Sequence, residues 1–463
     1  MKKILIVIML LFGIAINGLI LLLPVECSQT TMMLRLRIMA EESQSYQFFY
    51  TNEGVFTEEK SVRVDYTGMG NEELLEVVIP KETSILRFDF GEKAGKHMLL
   101  KFALVYADKE IFNSVEQAAT LISEEHMISS ANWGEQAVII TSGTDGYVIL
   151  DLSKAGLEEG MKEAERSFRL QENMKKLVLF DVLFILAFFG FLRFYNYIKV
   201  YCLELWQNRK VIFNLSKNDF KIKYAGSYLG IVWAFIQPIV TIAVYWFVFQ
   251  VGFRSGDVQG NIPYIVWLMT GLIPWFFFVE ALSGGTNCLL DYNYLVKKVV
   301  FPINILPIIR ILATYYIHIF FMLFMFIIYF LYGFTPDIYW FQVIYCELCL
   351  GIMLIGLVYA TSALVVFFKD LSQIIVIVLQ VGLWMTPILW DYRVLIENPL
   401  LLYILKLNPV FYIIEQYRNA LIYKNWFFEN FYYTMYFWMV NIALFGIGTL
   451  LFRKLKIHFA DVI

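Results

Sequence analysis

Apolar residues run nearly unbroken over eight stretches of the chain: 4–23, 177–194, 229–252, 263–283, 303–332, 341–366, 371–390 and 433–452. About 20 apolar residues of helix cross a bilayer core, so each stretch predicts a membrane span. Between the first two the period changes to two, in "SVRVDY" (61–66), "LLEVVI" (74–79), "ILRFDF" (85–90), "MLLKFALVY" (98–106), "AVIIT" (137–141) and "GYVILDL" (146–152). Turn residues such as "YTGMGNEE" and "TSGTDG" separate these runs, which predicts a small all-β sandwich followed by a charged helical stalk over 153–176. Between the second and third spans Gln207, Lys210, Asn214, Lys217 and Lys221 recur at 3,4,3,4 spacing, opposite Leu205, Val211, Ile212, Leu215 and Ile222. That pattern predicts an amphipathic helix over 203–223, lying in the membrane interface with its lysines toward anionic headgroups. The segment 391–432 holds "LLYILKL" and "NPVFYIIEQYRNALI", helical patterns too short to cross. They predict two short helices that dip into the outer leaflet and return, packed on protein or lining a cavity because irregular backbone cannot face lipid.

Composition supports a membrane protein. The 463 residues are 59% hydrophobic and only 17% charged, against about a quarter charged in soluble domains. Residues 24–176 hold 26 of the 40 acidic and 16 of the 37 basic residues, so an acidic domain is joined to a basic, apolar remainder, and nothing points to nucleic acid. The basic residues fix an orientation. With Lys2 and Lys3 inside, the segments carrying Lys199, Arg209, Lys210, Lys217, Lys221, Lys223, Lys297, Lys298, Lys369, Arg453, Lys454 and Lys456 are inside as well. The expectation is an α-helical polytopic protein of the cytoplasmic (inner) membrane, with eight transmembrane helices, both termini cytoplasmic and re-entrant helices near the outer side. Its parts are a first span (1–23, read as retained rather than cleaved), an extracytoplasmic β-sandwich with stalk (24–176), a second span (177–194), a cytoplasmic amphipathic segment (195–228) and a membrane core (229–463).

Candidate chemistry is sparse. Leu282, Ser283, Gly284 and Gly285 spell LSGG, a word of ATP-binding-cassette ATPases, but no Walker A loop accompanies it. The nearest approach, "GEKAGKH" (91–97), is one residue short and lies in the outside domain. The LSGG is read instead as small residues that end a span and turn the chain. Cys346 and Cys349 form a C-x-x-C inside an apolar run and read as small fillers rather than a redox or metal site. Cys27 follows Glu26, where a lipoprotein signal needs a small residue. Asp181, Glu280, Arg310, His318 and Glu347 fall within spans, where charges usually face protein or water. Glu280 and Arg310 bracket one inside loop and are expected to pair across it. His318 reads as a hydrogen-bonded packing residue. Pro238, Pro274 and Pro387 interrupt spans and predict kinks.

"NDFKIKYAGSYLGIVWAFIQPI" (218–239), "YLVKKVVFPINILPI" (294–308), "TPILW" (386–390) and "LNPVFYIIEQYRNAL" (407–421) appear in the order of a type-2 ABC transporter permease. Residues 200–463 resemble that family most in its polysaccharide-exporter branch, which moves teichoic acid or O-antigen. The first two spans and the acidic sandwich are additions to its usual six-helix core. The resemblance implies a homodimer docked on two copies of a separate ABC ATPase, which binds ATP and Mg; this chain itself holds no cofactor or metal and catalyses nothing. It implies an interface helix carrying Lys210, Lys217 and Lys221, and a coupling loop carrying Asp291, Tyr292, Tyr294, Lys297 and Lys298. An outer gate would include Pro387, Asn408, Pro409 and Arg418, and Tyr245, Trp246, Phe249, Trp384 and Trp390 would line the channel, their rings suited to the flat C–H faces of sugars. The implied function is export of a lipid-linked cell-envelope polysaccharide from the cytoplasm outward; the alternative is export of a small amphiphile or drug. For the sandwich, binding of emerging glycan, an inert spacer and a partner-docking module all remain open.

Overall fold

The computed structural model describes residues 2–23, 27, 29–143, 145–223, 228–253, 262–297, 301–395 and 398–462. The chain divides into two compact units, residues 10–181 and residues 1–9 with 182–463.

The first helix, α1 (Lys2–Leu22), is apolar and largely exposed. Among the described residues eleven strands follow: β1 (Thr31–Ala40), β2 (Gln44–Thr51), β3 (Ser61–Tyr66), β4 (Glu73–Pro80), β5 (Ile85–Asp89), β6 (Lys96–Tyr106), β7 (Lys109–Asn113), β8 (Ile122–His126), β9 (Ile128–Trp133), β10 (Ala137–Thr141) and β11 (Tyr147–Asp151). A short helix, α2 (Val115–Thr120), interrupts them; Ser114 caps it by accepting from the Gln117 N–H at 3.0 Å. One sheet has the order β4-β1-β6-β10-β9 with β7 on β6, and the other is β3-β2-β5-β11-β8. Alternation explains the stacking. Met32, Leu34, Leu36 and Ile38 of β1 face inward with Phe48 of β2 and Phe88 of β5, in one core shared by both sheets. The domain is therefore the sandwich that the period-two pattern predicts. The strands missed by that pattern, β1, β2 and β7–β9, are those where charged or aromatic residues blur the alternation.

The next helix, α3 (Leu157–Gln207), is a single element of 51 residues. The predicted stalk, the second span and the residues to 207 are thus continuous, because no proline or cap breaks them. Within the first unit, Asn17 of α1 donates to Asp181 of α3 at 2.8 Å, giving that in-span carboxylate its partner.

The second unit contains α4 (Arg209–Lys223), α5 (Trp233–Trp246), α6 (Tyr264–Asp291), α7 (Asn293–Val296), α8 (Leu306–Leu331), α9 (Gln342–Val365), α10 (Leu371–Met385), α11 (Pro399–Lys406), α12 (Pro409–Arg418), α13 (Phe431–Leu455) and α14 (Phe459–Val462). Helix α6 is the centre. Trp267, Leu268, Leu272 and Ile273 are buried against α8, α9 and α12 in one apolar core. Helices α9 and α13 touch through glycines: a Cβ on Gly356 would stand 2.7 Å from the Phe445 nitrogen. Small residues allow such approach where lipid offers no hydrophobic drive for association.

Among the described residues, seven helices are long and apolar enough to cross a membrane. The expected span 371–390 differs, since α10 has 15 residues, about 22 Å of helix against a hydrocarbon core of about 30 Å. It stops because Thr386 precedes Pro387 and adopts the extended backbone that such a position favours. Pro238 and Pro274, by contrast, lie inside α5 and α6, which continue past them.

Candidate functional site

The amphipathic segment breaks at Asn208, which separates α3 from α4. Lys210, Lys217 and Lys221 lie exposed along α4, but the buried stripe is narrower than the sequence pattern implies. Ile212 and Ser216 are buried, whereas Val211 and Ile222 stay exposed. The Ser216 hydroxyl meets the Tyr316 hydroxyl of α8 at 3.0 Å. One turn further along the same face, Asp219 approaches α8 beside Arg310.

Arg310 joins three elements. Its Nη1 donates to Asp219 Oδ2 of α4 at 2.6 Å, and its Nη2 to Asp291 Oδ2 at the end of α6 at 2.8 Å. Tyr292 completes the node by donating its hydroxyl to Asp219 Oδ1 at 2.7 Å. Two carboxylates held by one planar guanidinium is a geometry that lysine cannot reproduce. The expected Glu280–Arg310 pair does not form. Glu280 pairs instead with Lys223 at the end of α4, both side chains about half exposed. Sequence reasoning chose Glu280 because it lies near Arg310 in the chain. Asp219, 91 positions away, was missed; its only signal was a carboxylate on the inward face of an otherwise apolar stripe.

LSGG does not end a helix. Helix α6 runs through Ser283–Gly285 to Asp291, and the glycines serve packing. A Cβ on Gly285 would stand 2.6 Å from Val358 Cγ1 of α9, and one on Gly284 3.2 Å from Arg310 Nε. The turn comes at Tyr292, followed by the four-residue α7. Of the expected coupling residues, Asp291 and Tyr292 belong to the ionic node, Tyr294 and Lys297 are exposed, and Lys298 lies outside the described residues.

Near the other end of α6, the expected gate residues do come together. Asn408 caps α12 by accepting from the Val410 N–H at 3.0 Å, with Pro409 at the first helical position. The Asn408 side-chain amide donates to Thr386 Oγ1 at 2.8 Å. Arg418 is fully buried over the Trp267 ring, 3.5 Å from its centroid, and donates to the carbonyls of Pro387 (2.7 Å) and Ile388 (3.1 Å). These bonds satisfy backbone carbonyls that leave the helix after Met385, as a low-dielectric site demands. Deeper in the unit, His318 Nε2 lies 2.8 Å from Glu347 Oε1, which also accepts from the Tyr417 hydroxyl of α12 at 2.7 Å.

A cavity of about 450 Å³ opens between α5, α6, α8 and α10. Trp275, Phe276, Phe277 and Phe321 wall it, Gln237, Thr241, His318 and Gln380 supply polar groups, and the Lys223–Glu280 pair stands at its edge. None of the five aromatic residues expected in a channel lines it. Tyr245, Trp246, Phe249 and Trp390 pack against the apolar core, and Trp384 is exposed. Helix α5 gives way to a π-helix over Phe247–Gly252, which shifts the facing of the residues beyond Trp246 from that of a regular helix.

The ABC-2 type transporter family matches residues 210–422, from the start of α4 past the end of α12. This part of the chain is similar to an ABC-2 type transporter domain. Two relatives are similar over much of their length: the "O-antigen export system permease protein RfbA" of Klebsiella pneumoniae, 27% identical over 54% of this chain and 93% of the relative, and the protein of the same name from Myxococcus xanthus, 28% identical over 48% and 84%. The ionic node, the cavity and the Arg418 clamp all fall within the permease domain, and the sandwich lies outside it. Domains of this family are membrane transport subunits that work with a separate ATPase.

Proposed function

We propose that this chain is the permease subunit of an ATP-driven exporter that carries a lipid-linked cell-envelope polysaccharide from the cytoplasm outward. The observation that carries the reading is the permease domain itself, with relatives named for O-antigen export matched over 84–93% of their lengths. The chain works as a homodimer on two ATPase copies, which hold ATP and Mg; no cofactor sits on the permease. Both termini lie on the cytoplasmic side of the inner membrane, as the distribution of basic residues supports, and the sandwich lies outside. Tyr294 and Lys297, exposed beside α7, meet the ATPase. Its movement reaches the membrane helices through Arg310, which holds α4, α6 and α8 together. Pro387, Asn408, Pro409 and Arg418 shape the outer gate.

Depletion of the chain in growing cells tests the proposal. Lipid-linked glycan accumulates inside and surface glycan disappears, while glycan synthesis continues. Unchanged surface glycan after complete depletion refutes it.

A further inference from the structure

We infer that Tyr201 and Glu204, in the last two turns of α3, are positioning residues for the segment that meets the ATPase, an inference that rests on the export reading. That segment joins α6 to α8 and carries Tyr294 and Lys297. It enters α8 through a three-residue 3-10 turn, Ile303–Ile305, behind Pro302. No side chain caps the turn, and a backbone bond from the Ile305 N–H to the Pro302 carbonyl closes it at 3.0 Å. A turn this short, with the poorer hydrogen-bond geometry of its class, does not hold its own direction. Its direction is set by what grips it from other elements.

Helix α3 grips it twice, through Asn304. The Asn304 side-chain amide donates to Glu204 Oε2 at 2.7 Å. The Asn304 carbonyl accepts from the Tyr359 hydroxyl of α9. That bond uses the only proton of the Tyr359 hydroxyl, so in the contact between Tyr359 and Tyr201 the donor is Tyr201. Two α3 residues at i and i+3 therefore fix both polar ends of Asn304, one directly and one through a tyrosine that is 2% exposed. Leu205 packs beside them against the apolar cluster of Ile305, Leu306 and Tyr359. The Glu204 bond is the stronger of the two, since a hydrogen bond to a carboxylate is roughly twice as strong as a neutral one. One turn earlier, Tyr197 carries the Arg453 guanidinium over its ring, 4.8 Å from the centroid, which ties α3 to α13 instead. At the start of the segment, Asp291 and Tyr292 are held by Arg310 and Asp219. The segment is thus anchored at both ends, by α4 and α8 where it begins and by α3 and α9 where it closes. Tyr201 and Glu204 precede the stretch 210–422 that matches the family.

The test uses the full-length permease in lipid nanodiscs, titrated with its purified ATPase subunit and read as permease-stimulated ATP hydrolysis. A docking segment that is in place only part of the time binds with an affinity reduced by that fraction. Glu204→Met is expected to raise the half-saturating ATPase concentration by up to about tenfold, the factor that one hydrogen bond to a charged group represents. Asn304→Ala is expected to do the same, and the two together no more than either alone. Glu204→Gln keeps an accepting oxygen and should restore most of the native affinity, and Tyr201→Phe should give a smaller rise than Glu204→Met. The KM for ATP, which belongs to the ATPase, should stay constant throughout. Tyr197→Leu is the control: it loosens α3 from α13 and should lower the melting midpoint while leaving the half-saturating concentration unchanged. A rise with Tyr197→Leu equal to that with Glu204→Met would mean that α3 only packs, and would overturn the inference. So would an unchanged concentration with Glu204→Met and Asn304→Ala, or additive effects of the two. If Glu204→Met fails to assemble, Tyr201→Phe, which loses a single oxygen, carries the same measurement. These failures leave the export reading standing as long as the native chain stimulates hydrolysis; a native chain that stimulates none at any ATPase concentration refutes the export reading and this inference with it.

Discussion

Arg310→Met removes the cation from between Asp219 and Asp291 while keeping much of its apolar stem. The Arg310 and Asp219 side chains are 24% and 12% exposed, so the pair behaves as a buried one, and removing one partner costs about 3–5 kcal/mol. Asp291 is 46% exposed, and its share is at most about 1 kcal/mol. Tyr292 still donates to Asp219, and a hydrogen bond to a charged group offsets about 1.5–3 kcal/mol. The expected net loss is therefore up to about 4 kcal/mol, or up to about 4–7 °C in the melting midpoint of the detergent-purified protein. Asp219→Asn in the Arg310→Met background is expected to restore part of the loss, with a coupling of about 1.5–3 kcal/mol, because it removes the stranded carboxylate. Arg310→Lys is expected to behave more like Arg310→Met than like the native chain, and transport per ATP hydrolysed should fall with each single variant. Strict additivity of Arg310→Met and Asp219→Asn in both melting and transport would refute the node. Coupling between Arg310→Met and Glu280→Gln above about 0.5 kcal/mol would restore the pairing across the loop that the structure replaces.

Three further outcomes follow from particular contacts. Gly356→Ala places a methyl 2.7 Å from backbone of α13 and should destabilise by about 1–3 kcal/mol; Gly351→Ala on the same helix α9, which meets nothing within 4 Å, should not, and equal melting midpoints would contradict this packing. Gly285→Ala should lower stability and transport through its clash with Val358, and Val358→Ala should rescue both; failure of the rescue would point to a role for Gly285 other than packing. In the sandwich, burial lowers the pKa of His97 to about 4, against about 6.5 when unfolded. Its depressed pKa leaves stability intact above pH 6.5 and removes it as pH falls from about 6.5 to 4, by up to about 3 kcal/mol. Hydrogen exchange of β6 amides in the full chain should accelerate across that window, and His97→Gln should flatten the change.

The positions of most membrane helices were legible in the sequence, because a run of apolar side chains long enough to cross hydrocarbon is a local property. So were β3, where apolar and polar residues alternate strictly, and the sandwich class. The structural roles of Asn408, Pro409 and Arg418 also had local signals: a cap, a first-turn proline and a lone arginine in an apolar segment. LSGG misled because two glycines can either stop a helix or let another helix approach. Only the position of Val358, 73 residues onward, decides between these. The aromatic pattern could not identify the cavity, since aromatic residues fill cores and bilayer interfaces as readily as channels. What the sequence determined by itself was which segments must leave water. What only the tertiary structure decided was which buried charge answers which: Arg310 takes Asp219 from a distant helix, because desolvated charges are satisfied by proximity in space, and the chain order does not encode it.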